Sequence, residues 1–109
     1  MSDTTEAIAG RLTAALEEQD ASALFHLLDP DVRWGPEEET PETCHNRAQA
    51  MAWFARLAAA GTTATVAGVE VDVDRIVLSL DVTDPVRGQQ LRRSQYTVAG
   101  GRIVDIRPL

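Results

Sequence analysis

Near Thr62 the apolar pattern of this 109-residue chain changes period, and that change restricts the fold more than any other feature. Before it, apolar residues recur every three or four positions. Ile8, Leu12, Ala15 and Leu16 form one set, Leu24, Leu27 and Leu28 a second, and Ala50, Met51, Phe54, Leu57 and Ala58 a third. After it, apolar and polar residues alternate: Val69 and Val71 with Glu70 and Asp72, then Ile76, Leu78, Leu80 and Val82 with Val77, Ser79, Asp81 and Thr83. A period near 3.6 gives a helix one apolar side, and a period of two does the same for a strand. The chain therefore reads as helices followed by strands, an α+β fold, and its length suits one domain over residues 1–109.

Local signals set the boundaries. Asp3 with Glu6 has the spacing of a capping box, and Asp20 can cap a second helix that Asp29-Pro30 stops. Asn46 with Gln49 opens a third helix, which Gly61 ends. Val32 and Trp34 alternate with Arg33 in a short strand, followed by an acidic, Pro-flanked loop over residues 35–42. Turns around Val73-Asp74, at Asp84-Pro85-Val86-Arg87-Gly88 and at Ala99-Gly100-Gly101 divide the remainder into a four-stranded antiparallel meander. The apolar face of that sheet needs cover, and the third helix with the first beside it supplies it. A twisted sheet does not touch a straight helix along its whole length, so a cavity is expected at the open end.

Charge narrows the partners. Ten Arg and no Lys stand against seventeen Asp plus Glu, a net charge of −7, which argues against nucleic acid and membrane surfaces. A single Cys excludes an intrachain disulfide framework. Cys44-His45 with His26 has no metal-ligand spacing, and no Gly-rich phosphate loop occurs, so neither metal nor organic cofactor is expected. With no apolar run long enough for a membrane span and no basic, apolar leader, the expected location is the cytoplasm.

Three stretches carry a family likeness: Leu28-Asp29-Pro30-Asp31-Val32-Arg33-Trp34, His45-Asn46-Arg47-Ala48 running into Trp53-Phe54, and Gly101-Arg102-Ile103-Val104-Asp105-Ile106. In order and spacing they resemble the NTF2-like superfamily, its SnoaL-like branch in particular. The resemblance implies a cone-shaped α+β fold, with three N-terminal helices packed on a curved, mainly antiparallel sheet. That fold hosts polyketide cyclases, ketosteroid isomerase, dehydratases and an epoxide hydrolase, and also modules without catalysis.

Two residues are candidates for catalysis. Asp105 alternates with Val104 and Ile106, which puts it on the face of Ile103 and Arg107. If that face is concave, burial makes it a usable acid; the alternative is an ion pair with Arg107 or Arg102. An imidazole suits a general base near neutral pH, which makes His45 a candidate, against the reading of an ordinary loop residue. Isomerase-like chemistry needs a carboxylate base and a Tyr in the oxyanion hole. Here the first helix has no Tyr, and Gly35 and Pro36 stand where the resemblance places the base.

Trp34, Met51, Phe54 and Tyr96 are the candidates for ligand binding, against the reading that they fill the core. The expected function is a small-molecule-binding protein with an apolar pocket for a small apolar ligand. The alternatives are a cofactor-independent acid-base enzyme on an apolar carbonyl or polyketide-like substrate, and a dimeric interaction module. A homodimer is expected through a mixed surface formed by Gln90, Arg92, Ser94 and Tyr96 with Val77, Ser79 and Asp81.

Overall fold

A computed structural model describes residues 4–109. Three helices come first: α1 (Thr5–Glu18), α2 (Ala21–Leu27) and, after strand β1 (Leu28–Trp34), α3 (Arg47–Ala59). Thr4 caps α1, accepting from the Ala7 amide, while Asp3 lies outside the described residues. Asp20 and Asn46 cap α2 and α3 as expected, accepting from the amides of Ala23 and Gln49. Gln49 also accepts from the His45 amide at 2.7 Å, so the start of α3 satisfies two orphan donors.

The strands β2 (Thr63–Val71), β3 (Arg75–Asp84), β4 (Gly88–Ala99) and β5 (Arg102–Pro108) form the expected antiparallel meander. The sheet runs in the order β1-β5-β4-β3-β2, with β1 parallel to β5. In the β4–β5 turn Gly100 and Gly101 both have positive φ, 60° and 78°, conformations that L side chains resist.

One irregularity decides the sites of two residues. Thr97 pairs with Asp105 but Val98 pairs with Ile103, so Val104 is an extra residue in β5. This bulge turns both Ile103 and Ile106 into the core, where they are buried, and breaks the strict alternation expected from the sequence. Asp105 consequently lies opposite Ile103, on the outer face with Arg33 and Arg107, and not on the Ile103 side.

The core is filled by Ile8 and Leu12 of α1, Leu28 and Val32 of β1, Ile76 and Leu78 of β3, and Ile103, all inaccessible. Burial of each stabilises by about 1.5–3 kcal/mol. Helix α1 lies along edge strand β2, and Glu17 accepts from the Val66 amide at 2.9 Å. This contact occupies a donor of the exposed edge, which otherwise invites strand pairing by another chain. No helix among the described residues is long and apolar enough to cross a membrane.

Candidate functional site

The long strands β3 and β4 outrun the helices that cover them. Every β4 residue from Gly88 to Arg93 is exposed, whereas Tyr96 is buried. Helix α3 packs on β1 and α2, and its C-terminal end reaches the β3–β4 turn at Gly61, where a Cβ would meet Pro85 at 3.1 Å. Beyond these supports the Gly88–Arg93 half of β4 is left exposed.

Register identifies the side chains of the inner face. Ile76 pairs with Tyr96, Leu78 with Ser94, Leu80 with Arg92 and Val82 with Gln90, and direct partners share a face. The β3 side is therefore entirely apolar. The β4 side is a polar stripe that runs from buried Tyr96 through half-buried Ser94 to exposed Arg92 and Gln90. Burial pushes the Tyr96 hydroxyl up to about 12, a shift that its hydrogen bond with Ser94 only partly offsets. At neutral pH this hydroxyl remains protonated and able to donate. Arg92 is steadied by Gln90, whose Oε1 accepts from its guanidinium at 3.0 and 3.3 Å.

The other residues singled out from the sequence divide between core and exterior. Phe54 is buried, and Trp34 and Met51 pack against the same apolar cluster from partly exposed positions. Asp105 accepts from Arg107 Nε at 2.8 Å, with Arg33 at 3.9 Å, on the outer face of the sheet. His45 is exposed at the start of α3, its Nε2 2.6 Å from Glu39 of the acidic loop. The fold thus does not bring Asp105 and His45 to the inner face where Tyr96 lies. Among the described residues no group of three or more His, Cys, Asp or Glu gathers to hold a metal ion.

A SnoaL-like domain model matches residues 9–106 of this sequence. The chain belongs to the SnoaL-like family. Solved structures share its fold. A candidate polyketide cyclase from Sinorhizobium meliloti is 21% identical with a TM-score of 0.78, over 94% of this chain and 93% of that one. A candidate ketosteroid isomerase from Kribbella flavida is also 21% identical with a TM-score of 0.82, over 99% and 79%. An uncharacterised cystatin-fold protein from Novosphingobium aromaticivorans reaches a TM-score of 0.85 at 12% identity, over 99% of both chains. At such identities the likeness is one of fold. No curated protein gives a match.

Two surface clefts mark this SnoaL-like chain. One, of about 400 Å³, lies between α1 and α2 beside Glu18, Asp20 and His26. The other, of about 430 Å³, separates the acidic loop from α3 and is walled by Cys44, Trp53 and Arg56. Burial pushes the Cys44 thiol above its ordinary range, and Arg56 opposes that shift less strongly. The backbone of Cys44 bridges that of Trp34 in both directions at 2.8 and 2.9 Å, which fastens the loop to β1. Gly35 is needed here, since a Cβ would stand 2.8 Å from Thr43 Oγ1. The sequence groups Gln90, Arg92, Ser94 and Tyr96 on one face, expected there to join two copies, and the register turns that face inward.

Proposed function

We propose that this SnoaL-like protein binds a small, largely apolar molecule in a wedge between α3 and the inner face of the β3–β4 hairpin. The observation that carries the reading is the asymmetry of that face: Leu80 and Val82 present carbon, while the adjacent strand presents Ser94 and Tyr96. Apolar walls with a few convergent polar groups are what a small ligand needs for both affinity and orientation. The Tyr96 hydroxyl with that of half-buried Ser94 would give a ligand oxygen a donor or an acceptor.

Binding is favoured over acid-base catalysis because the inner face offers no carboxylate base at the expected place, where Gly35 and Pro36 stand. The Asp105 carboxylate is engaged by Arg107 on the outer face. The names of the cyclase and isomerase neighbours belong to those proteins.

Calorimetric titration with 1-octanol, a neutral apolar probe, tests the proposal. Val82→Glu places a charge on the wedge floor and is expected to abolish binding; Val77→Glu, one strand face away, is expected to leave it intact. Equal effects of the two substitutions would remove the wedge as the site.

A further inference from the structure

We infer that the cleft between the acidic loop and α3 is a second binding site, for a small organic carboxylate, with Arg56 taking the carboxylate beside Gln49 and Trp53. The site lies apart from the wedge, and the inference does not rest on it.

Unpaired donors mark the cleft. Gln49, Trp53 and Arg56 follow one another at three to four residues on α3, which sets them on one face of the helix, next to the apolar stripe of Ala50, Phe54 and Leu57. That face is one wall, and residues 41–44 are the other, around about 430 Å³, a volume in the range of sites that hold small molecules. Among the described residues the Arg56 guanidinium meets no carboxylate and makes no hydrogen bond; it stands over the Trp53 ring, 5.1 Å from its centroid. The indole N–H of Trp53 has no acceptor either. Gln49 uses only its side-chain oxygen, which accepts from the His45 amide at 2.7 Å, so its NH2 group is left to donate. Three unpaired donor groups on one wall of a cleft suit an anion.

A missing acid alone does not single out Arg56, but its setting does. Arg47 donates to the Leu28 carbonyl and covers Phe25, while Arg87, Arg92 and Arg102 line neither cleft. Arg11 lines the other cleft, with Glu18 and Asp20 beside it. Arg56 alone combines a cleft, an aromatic ring under the guanidinium and two further donors at its side. A guanidinium already held over a ring loses little freedom when its planar fork grips a carboxylate. Its charge also reaches Cys44 on the facing wall, where it draws down the thiol that burial raises. Among the described residues Glu42 is the only carboxylate that lines this cleft; it is exposed and beyond salt-bridge distance of Arg56, so water screens it. Pro41, Ala52 and Trp53 add carbon to the walls, which fits a carboxylate on a short or flat apolar body.

Benzoate and benzamide share a flat apolar body and differ in charge, and the chain has two indole N–H resonances, of Trp34 and Trp53, that report separately during titration. At low salt and pH 7.5 benzoate is expected to shift the Trp53 resonance saturably and leave Trp34 in place, with a Kd of about 1 mM and a preference of about tenfold over benzamide. Arg56→Gln should lose that preference. Gln49→Glu keeps an acceptor for the His45 amide while setting a second carboxylate in the cleft, and should lose benzoate binding. Arg102→Gln removes an equal charge outside the cleft and should change neither. Arg56, Gln49 and Arg102 are all exposed, so the circular dichroism spectra of the variants are expected to match wild type. An unmoved Trp53 resonance at about 20 mM benzoate, twentyfold above the expected Kd, would overturn the inference. So would equal affinity for benzamide, a preference that survives Arg56→Gln or vanishes in Arg102→Gln, or benzoate binding that survives Gln49→Glu.

Discussion

Asp105 and Arg107 lie two residues apart on the outer face of β5, the carboxylate accepting from the guanidinium at 2.8 Å with only 18% of the Asp side chain exposed. The contact exists because the bulge at Val104 sends Asp105 outward while Ile103 and Ile106 both turn in. Asp105→Asn would keep the size of the side chain and lose the charge that Arg107 and Arg33 face. A loss of about 1 kcal/mol is expected, since Arg107 is 40% exposed and partly screened. Octanol binding should not change. Melting curves and calorimetry of the two proteins measure both effects.

Tyr96 gives the protein a pH dependence of known sign. Its hydroxyl ionises near 10 in the unfolded chain and near 12 in the fold, so the folded state retains a proton that the unfolded state has lost. Stability from this group is therefore fully present below about pH 10 and declines between about 10 and 12, by roughly 2–3 kcal/mol. Tyr96→Phe removes that slope, and at pH 7 costs about 1 kcal/mol for the hydrogen bond with Ser94. Urea denaturation of both proteins at pH 8 and pH 11 shows whether their difference narrows as predicted.

The close approach of Gly35 to Thr43 makes a backbone prediction. Gly35→Ala sets a Cβ 2.8 Å from Thr43 Oγ1 and 2.9 Å from its Cγ2, and Thr43 is buried and holds the Thr40 amide. Destabilisation of about 1–3 kcal/mol is expected. Adding Thr43→Ser, which deletes the methyl, should recover part of it, and a double-mutant cycle by denaturant titration reads the coupling.

How far the sequence disclosed this structure depended on whether a signal was local. Caps at Asp20 and Asn46, the stop before Pro30 and the paired glycines at 100–101 are decided by a few adjacent residues, and each was legible. The pairing of β1 with β5 joins chain segments some seventy residues apart, and the bulge at Val104 interrupts a hairpin whose residues otherwise alternate; no local pattern encodes either. That bulge is also why strict alternation put Asp105 on the side of Ile103. The polar stripe was visible as Gln90, Arg92, Ser94 and Tyr96, but its face was not, because either side of a half-polar strand can turn inward.

The same register divides the surface expected to join two copies. Tyr96 pairs with buried Ile76 on the inner face, whereas Val77 pairs with Gln95 on the outer one. A homodimer is then expected through the outer face alone, where Leu91 is 70% exposed and Asp81 Oδ1 is buried with no hydrogen-bond partner. Light scattering at micromolar concentration should give the mass of two chains, falling to one in Leu91→Glu; a wild-type monomer would remove this surface from consideration.

Binding in the wedge is tested most directly by amide and methyl chemical shifts of isotope-labelled protein during titration with 1-octanol. The predicted shifts concentrate on Leu80, Val82, Arg92 and Ser94 and on the facing stripe of α3 at Phe54 and Leu57. Shifts confined to Val77, Leu91 and Arg93 on the outer face, to either surface cleft, or to no site at all would contradict it.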